Sequence, residues 1–166
     1  MQGQVQLTLR YVDVREARPR WRLNAAYGLT DRLLVGIEVN PAAGEVLPVA
    51  NWTLLLEDAE RPMLSLGTSS DRIFSPEGTR SYYLTAAKSI PGTKLAPYTS
   101  LSWSEWEDTP LVPFGLNWTI RPQWDAMLQH DGRNTHWLLS YKAEDWNLSL
   151  LLVKGRHLGA SAGVQF

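Results

Sequence analysis

The sequence predicts an all-β fold, a transmembrane antiparallel up-and-down β-barrel of about 12 strands, or about ten if its two shortest strands do not form, with short connections. Three observations predict it. Segments of alternating apolar and polar residues follow one another from Val5 to Phe166, the apolar face of most segments is free of charge, and Trp and Tyr collect at segment ends. Side chains alternate across a strand, so each such segment is a ribbon with one oily and one polar face.

The first segment sets Val5, Leu7, Leu9 and Tyr11 against Gln6, Thr8, Arg10 and Val12. After a charged connection, Trp21, Leu23, Ala25 and Tyr27 oppose Arg20, Arg22, Asn24 and Gly28, and past a short turn Leu33, Val35, Ile37 and Val39 oppose Leu34, Gly36, Glu38 and Asn40. Residues 41–46, with Pro41 and Gly44, read as a loop. Ala50, Trp52, Leu54 and Leu56 then oppose Asn51, Thr53 and Leu55, and a short strand follows at Met63–Gly67. The longest loop is expected over Ser69–Thr79, before Tyr82, Leu84 and Ala86, which oppose Tyr83, Thr85 and Ala87.

Beyond the Pro91-Gly92 turn, a strand runs over Leu95–Ser104 and another over Val112–Ile120. Pro97 and Pro113 lie inside these two, where each removes a ladder hydrogen bond, so bulges or strand ends are expected there. The last third alternates most cleanly. Trp124 to Gln129, His136 to Lys142, Trp146 to Val153 and His157 to Phe166 are separated by Asp-Gly, Glu-Asp and Lys-Gly turns. Strands of about 8 to 11 residues span a bilayer when tilted.

Alternation also describes a soluble sandwich of two sheets packed oily face to oily face, and that alternative stays open at this point. Two features favour the membrane. Filling a dry core with the Ser, Thr, Asn and Gln face would strand polar groups, whereas a watery lumen satisfies them. The aromatic residues also form two levels: Tyr27, Trp118, Trp124, Tyr141, Trp146 and Phe166 at one, and Tyr11, Trp21, Tyr82, Trp103 and Trp137 at the other. Amphipathic rings at headgroup depth flank the apolar band of a bilayer-spanning barrel.

The totals agree with this reading. The 166 residues amount to one domain, 1–166, and 16 basic against 17 acidic residues give no basis for nucleic-acid binding. A mean hydropathy of -0.24 is ordinary, because a barrel hides its lipid signal in alternate positions. No run of about 20 apolar residues is present for a spanning helix. Cysteine is absent, so there is neither a disulfide nor a thiolate metal site. The opening Met1-Gln2-Gly3-Gln4-Val5 lacks the basic-then-apolar pattern of a secretion signal, and the expectation is that a precursor carries one.

The polar face holds the candidate functional residues. Arg10, Arg20, Arg22, Glu38 and His136 all point inward in this reading, and Arg10, Arg22 and Glu38 on neighbouring strands form one charged belt. Such a belt is either a selectivity constriction or a salt-bridge brace. Small residues expected opposite it, Ser100, Ser102, Ser104, Gly159, Ser161 and Gly163, favour open space and hence a pore. His130, His136 and His157 offer neither a metal motif nor a Ser-His-acid set, so no catalytic residue, metal or cofactor is expected.

The closing strand His157–Phe166, ending on an aromatic residue, resembles the last strand of bacterial outer-membrane β-barrels, in which the terminal Phe is part of the assembly signal. Tyr27 to Gly36 and Asp131 to Phe166 are similar to phrases recurrent in that class, with a weak resemblance to barrels associated with exopolysaccharide export. The resemblance implies a porin-like protein of the outer membrane of a Gram-negative bacterium. Its partners would be the lipid bilayer and the barrel-assembly machinery, the latter through Phe166. The expected function is a passive channel for ions or small solutes, without enzymatic activity. The alternatives are a lipid-modifying outer-membrane enzyme, a hydrolase or acyltransferase, and a plugged structural or export-associated barrel.

Overall fold

The computed structural model describes residues 2–166. The strands are β1 (Val5–Val12), β2 (Trp21–Gly28), β3 (Leu33–Asn40), β4 (Glu45–Leu55), β5 (Met63–Ser70), β6 (Arg80–Ala87) and β7 (Leu95–Ser104). After them come β8 (Thr109–Leu111), β9 (Phe114–Arg121), β10 (Trp124–His130), β11 (Thr135–Lys142), β12 (Trp146–Val153) and β13 (His157–Gln165). Among the described residues the single helical element is one turn, α1 (Ala17–Arg20). All pairings are antiparallel between sequence neighbours, except that β7 pairs with β9 past the short β8 and β1 closes on β13. Twelve staves thus form a closed up-and-down barrel, and β8 is a short flap folded back on the end of β7. With both the β6–β7 and the β1–β13 seams made, the two-layer sandwich is ruled out.

The alternation read from the sequence sets the faces. Large apolar side chains such as Leu9, Ile37, Leu101, Leu148 and Leu150 lie exposed on the outside, far beyond what a soluble monomer leaves in water. Closure pairs every stave on both sides, which is what allows a sheet to stand in hydrocarbon. The expected girdle aromatics are on the outer face as well. Tyr11 and Trp21 pair across β1 and β2 with ring centroids 4.7 Å apart, and Tyr82 faces Trp103 on β6 and β7. At the other end Trp124, Tyr141 and Trp146 form a chain of rings with centroids 5.3 and 5.4 Å apart. Trp118 shares that outer face and its end of the barrel. Phe114 and Trp52, absent from the expected girdles, extend the two rows.

One end of the barrel carries both chain ends; the other carries the three longest connections, residues 13–20, 71–79 and 105–113. The loop end differs from expectation in four places. The turn after β3 takes only residues 41–44, so β4 begins at Glu45 and Pro48 lies within it, beyond the last β4–β5 pair, Ala50–Thr68. β5 and β6 run to Ser70 and from Arg80, which shortens the expected long loop to residues 71–79. The charged connection after β1 contains α1, and the polar one after β7 contains β8. The strand expected from Val112 begins at Phe114 because Pro113 interrupts it, as anticipated. Pro97 stays inside β7: its carbonyl accepts from Lys88 just past the end of β6, so its missing donor falls where no ladder remains.

The small apolar core lies inside the barrel at the loop end. Val12, Val14, Leu151 and Val153 are buried there, with Ile73 and Phe74 of the 71–79 loop and Leu138 packed against them. That loop therefore folds inward, over a lumen that is polar further down.

Candidate functional site

The inner wall is built from strand neighbours. On β1 and β2, Arg10 stands directly opposite Arg22; Asn24 stands opposite Glu38 on β3. Arg22 Nη2 lies 2.5 Å from Glu38 Oε2, and Glu38 is fully buried. Asn40 Nδ2 donates to Glu38 Oε1 at 3.2 Å and to Glu45 Oε2 at 2.7 Å, and Arg18 Nε donates to the same Glu45 oxygen at 3.0 Å. The result is a relay from Arg22 through Glu38, Asn40 and Glu45 to Arg18. Three guanidiniums meet two carboxylates in this region, and the charge left over is that of Arg10, whose buried Nε has no partner. Two arginines directly across a ladder repel, so Arg10 stays tolerable only beside a hydrated space.

That space is a cavity of about 500 Å³, lined on one side by Arg10, Arg18 and Arg22. The opposite wall is hydroxylic: Ser81 and Ser102 share a hydrogen bond of 2.6 Å, as do Thr85 and Ser100. Ser100 and Ser102 do lie across from the belt, on the seventh stave. Gly159, Ser161 and Gly163 lie beside it instead, paired with Val12, Arg10 and Thr8, and their small size clears room next to Arg10.

Arg10, Arg22 and Glu38 are thus brought together. Arg20 is not: its Nε and Nη2 donate to the carbonyls of Val14 and Arg15 at 2.9 and 2.8 Å, which clamps the loop after β1 and leaves Arg20 away from the cavity wall. His136 reaches the cavity edge, but Nε2 is 2.9 Å from Asp131 Oδ2 and Nδ1 faces the Lys154 N–H at 3.4 Å. Burial alone would raise the Asp131 carboxyl. Hydrogen bonds from His136 and from the Asn134 and Arg133 N–H groups outweigh it and hold that carboxyl at about 2. His130 contacts Thr135 and Phe114, and His157 contacts Arg156 and Phe74. Among the described residues no cluster of three His, Asp or Glu side chains forms.

Sequence reasoning missed Arg18 and Glu45, which hold the inward loop. Arg18 donates to the carbonyls of Ser75 at 2.9 Å, Thr79 at 3.2 Å and Arg72 at 3.4 Å, and also to Ser75 Oγ. Glu45 accepts from the Gly78 N–H. Glu107 bridges Arg72 and Arg133 and so ties the same loop to its neighbours; hydrogen bonds from Arg133 and Arg72 overcome the effect of burial and keep its carboxyl below the usual range. Placing the turn at 41–44 would have put Glu45 and Leu47 on the inward face by alternation alone. Nothing in the phrase Ala17-Arg18-Pro19-Arg20 marks Arg18 as the inward one.

The fold is that of a porin barrel. It is similar to KdgM porin, with a TM-score of 0.63 at 13% identity over 98% of each chain. It is also similar to NanC porin, with a TM-score of 0.59 at 11% identity, again over 98% of each chain. No family model matches the chain, and no curated protein does. Likeness at this identity concerns the architecture, so the chemistry of the lumen must be argued from this chain's own residues.

Proposed function

We propose that the protein is a bacterial outer-membrane porin, a passive channel for ions and small solutes in which Arg10, Arg22 and Glu38 bias passage toward anions. The observation that carries this reading is the polar lumen: a cavity of about 500 Å³ with the surplus guanidinium of Arg10 on one wall and hydroxyls on the other, inside a barrel with an apolar exterior. A focused positive potential in a low-dielectric tube raises the local anion concentration. A non-enzymatic role suits the geometry. Both ring nitrogens of His136 are engaged, by Asp131 and by backbone, which leaves this imidazole no nitrogen for a serine. The closing strand β13, paired to β1 along its length and ending next to exposed Phe166, is the segment that would engage the assembly machinery.

The test is single-channel recording of the refolded protein in a planar bilayer under a salt gradient. Wild type is expected to show steady steps and a reversal potential of anion-selective sign, and Arg10→Glu to move that potential toward cation selectivity. Conducting channels whose selectivity ignores Arg10→Glu would refute the belt as a filter. A protein that inserts and never conducts would instead support a second reading, a plugged structural barrel, which the inward 71–79 loop favours. A protein that stays soluble without detergent would refute the membrane assignment itself.

A further inference from the structure

The lumen has two chambers, and the wall between them identifies a residue with a role of its own. Toward the turn end a second cavity of about 170 Å³ adjoins the first. Thr8, Arg22, Asn24, Ser69 and Tyr83 line both cavities, so these five side chains stand at the boundary between them, where a neck would lie. Arg22 is fixed on its side by Glu38. Tyr83 is the bulkiest uncharged group of the set, and its position depends on an absence.

Tyr83 on β6 is paired with Gly67 on β5, which is paired in turn with Asn51 on β4. The ring lies flat along the wall across the glycine and reaches Asn51, whose Nδ2 donates to the phenol oxygen at 3.2 Å. A Cβ added to Gly67 would stand 2.5 Å from the ring's Cζ and from its hydroxyl oxygen, well inside contact distance, and would touch no backbone atom this closely. Any side chain at position 67 therefore meets the phenol first and displaces it. Since β4 and β5 close off the space behind the ring, the displacement is into the lumen, toward Arg22.

We propose that Tyr83, seated in the notch left by Gly67, sets the size limit of the channel, with Arg22 as the facing side of the neck. This rests on the channel reading above. It predicts changes in opposite directions from two substitutions. Tyr83→Ala removes the ring and opens the neck, so conductance rises and larger solutes pass. Gly67→Ala drives the ring off the wall, so conductance falls and the size limit drops, and adding Tyr83→Ala to it restores both. Tyr83→Phe keeps the ring in the notch and is expected to match wild type in size limit.

The experiment combines single-channel conductance with exclusion of polyethylene glycols of graded mass, a readout that loss of stability alone does not move. Folding of each variant is checked by the heat-dependent shift in gel mobility typical of closed barrels. An exclusion limit unchanged in Tyr83→Ala, or a conductance unchanged in Gly67→Ala, overturns the assignment of Tyr83 while leaving the channel standing. Should Gly67→Ala fail to fold, Tyr83→Ala, which only removes atoms, decides alone. A wild-type barrel that conducts nothing refutes the channel reading, and the size-limiting role of Tyr83 falls with it.

Discussion

Replacing Arg18 by Met removes the side chain that makes the most hydrogen bonds to the 71–79 loop from outside it. The substitution keeps length and apolar stem and deletes the charge. Arg18 is almost wholly buried and bonds the Glu45 carboxylate and three loop carbonyls, so Arg18→Met strands one acid and several acceptors together. Breaking a buried ion pair by removing one partner costs about 3 to 5 kcal/mol. The lower end applies here, because Glu45 keeps the Asn40 and Gly78 donors and the Arg18 side chain borders the lumen cavity. Backbone strain adds to the tendency to leave: Phe74 sits at φ 77°, a left-handed conformation that costs a side-chain-bearing residue about 1 to 2 kcal/mol. Opposing it are the seat of Ile73 and Phe74 on the inner core and the Lys154 ammonium 3.8 Å above the Phe74 ring. A loss of about 3 kcal/mol raises the frequency of loop opening on the order of a hundredfold. Hydrogen exchange on the folded protein in detergent measures this directly, through the amides of residues 71–79 with those of β12 as an internal reference. Those loop amides are expected to exchange faster by that order in the variant while β12 is unaffected. Equal protection in wild type and variant would show that the apolar seat holds the loop and that the Arg18–Glu45 pair does not.

Two further substitutions probe the wall itself. The Asp131 carboxyl, held at about 2 against an ordinary 3.8, contributes stability that is present above the ordinary value and is lost as pH falls through about 4 toward 2. The contribution is on the order of 2 kcal/mol, so Asp131→Asn should be less stable than wild type at neutral pH and equal to it near pH 2. Denaturant unfolding in detergent at the two pH values checks the sign, and a stability gap that persists in acid would contradict it. Gly115→Ala should cost about 1 to 3 kcal/mol of overpacking, because its Cβ would stand 2.5 Å from the Leu128 carbonyl oxygen as well as against the Tyr98 ring. A lowered unfolding midpoint is expected, in contrast to Gly67→Ala, where only a side chain is in the way.

The staves were legible because a bilayer-spanning barrel imposes one rule on every strand: alternate positions face lipid. Leu7 and Leu9 against Thr8 and Arg10, or Leu148 and Leu150 against Asn147 and Ser149, leave no second arrangement once the chain closes on itself. The belt was legible for the same reason, since Arg10, Arg22 and Glu38 occupy inward positions on consecutive strands. What was not legible came from the loops. Val12, Leu138, Leu151 and Val153 break the rule by being apolar on the inward face, and this irregularity was the trace of an inward loop with Ile73 and Phe74 to bury. Period-two reasoning treats a loop as a connection, and Arg18 and Glu45 act exactly where a connection becomes part of the interior. Tyr83 escaped for a different reason: its inward direction follows from alternation, but its resting place depends on the pairing register that sets it beside Gly67.

The two halves of the lumen then follow from one constraint. A closed barrel of twelve staves encloses more volume than inward side chains of Ser, Gly and Asn can fill. The loop end fills it with a folded-in segment, and that segment needs an apolar seat and a buried ion pair to stay. The middle leaves it to water, and only there does an unpartnered guanidinium stand without prohibitive desolvation. Moving the apolar seat down the barrel would dry the surroundings of Arg10 and force it to find an acid. Moving the belt up would place it against Phe74 and Ile73. The order along the axis, apolar seat, then charged relay, then the smaller chamber beyond Tyr83, is therefore the one in which each layer supplies the solvent conditions the next requires.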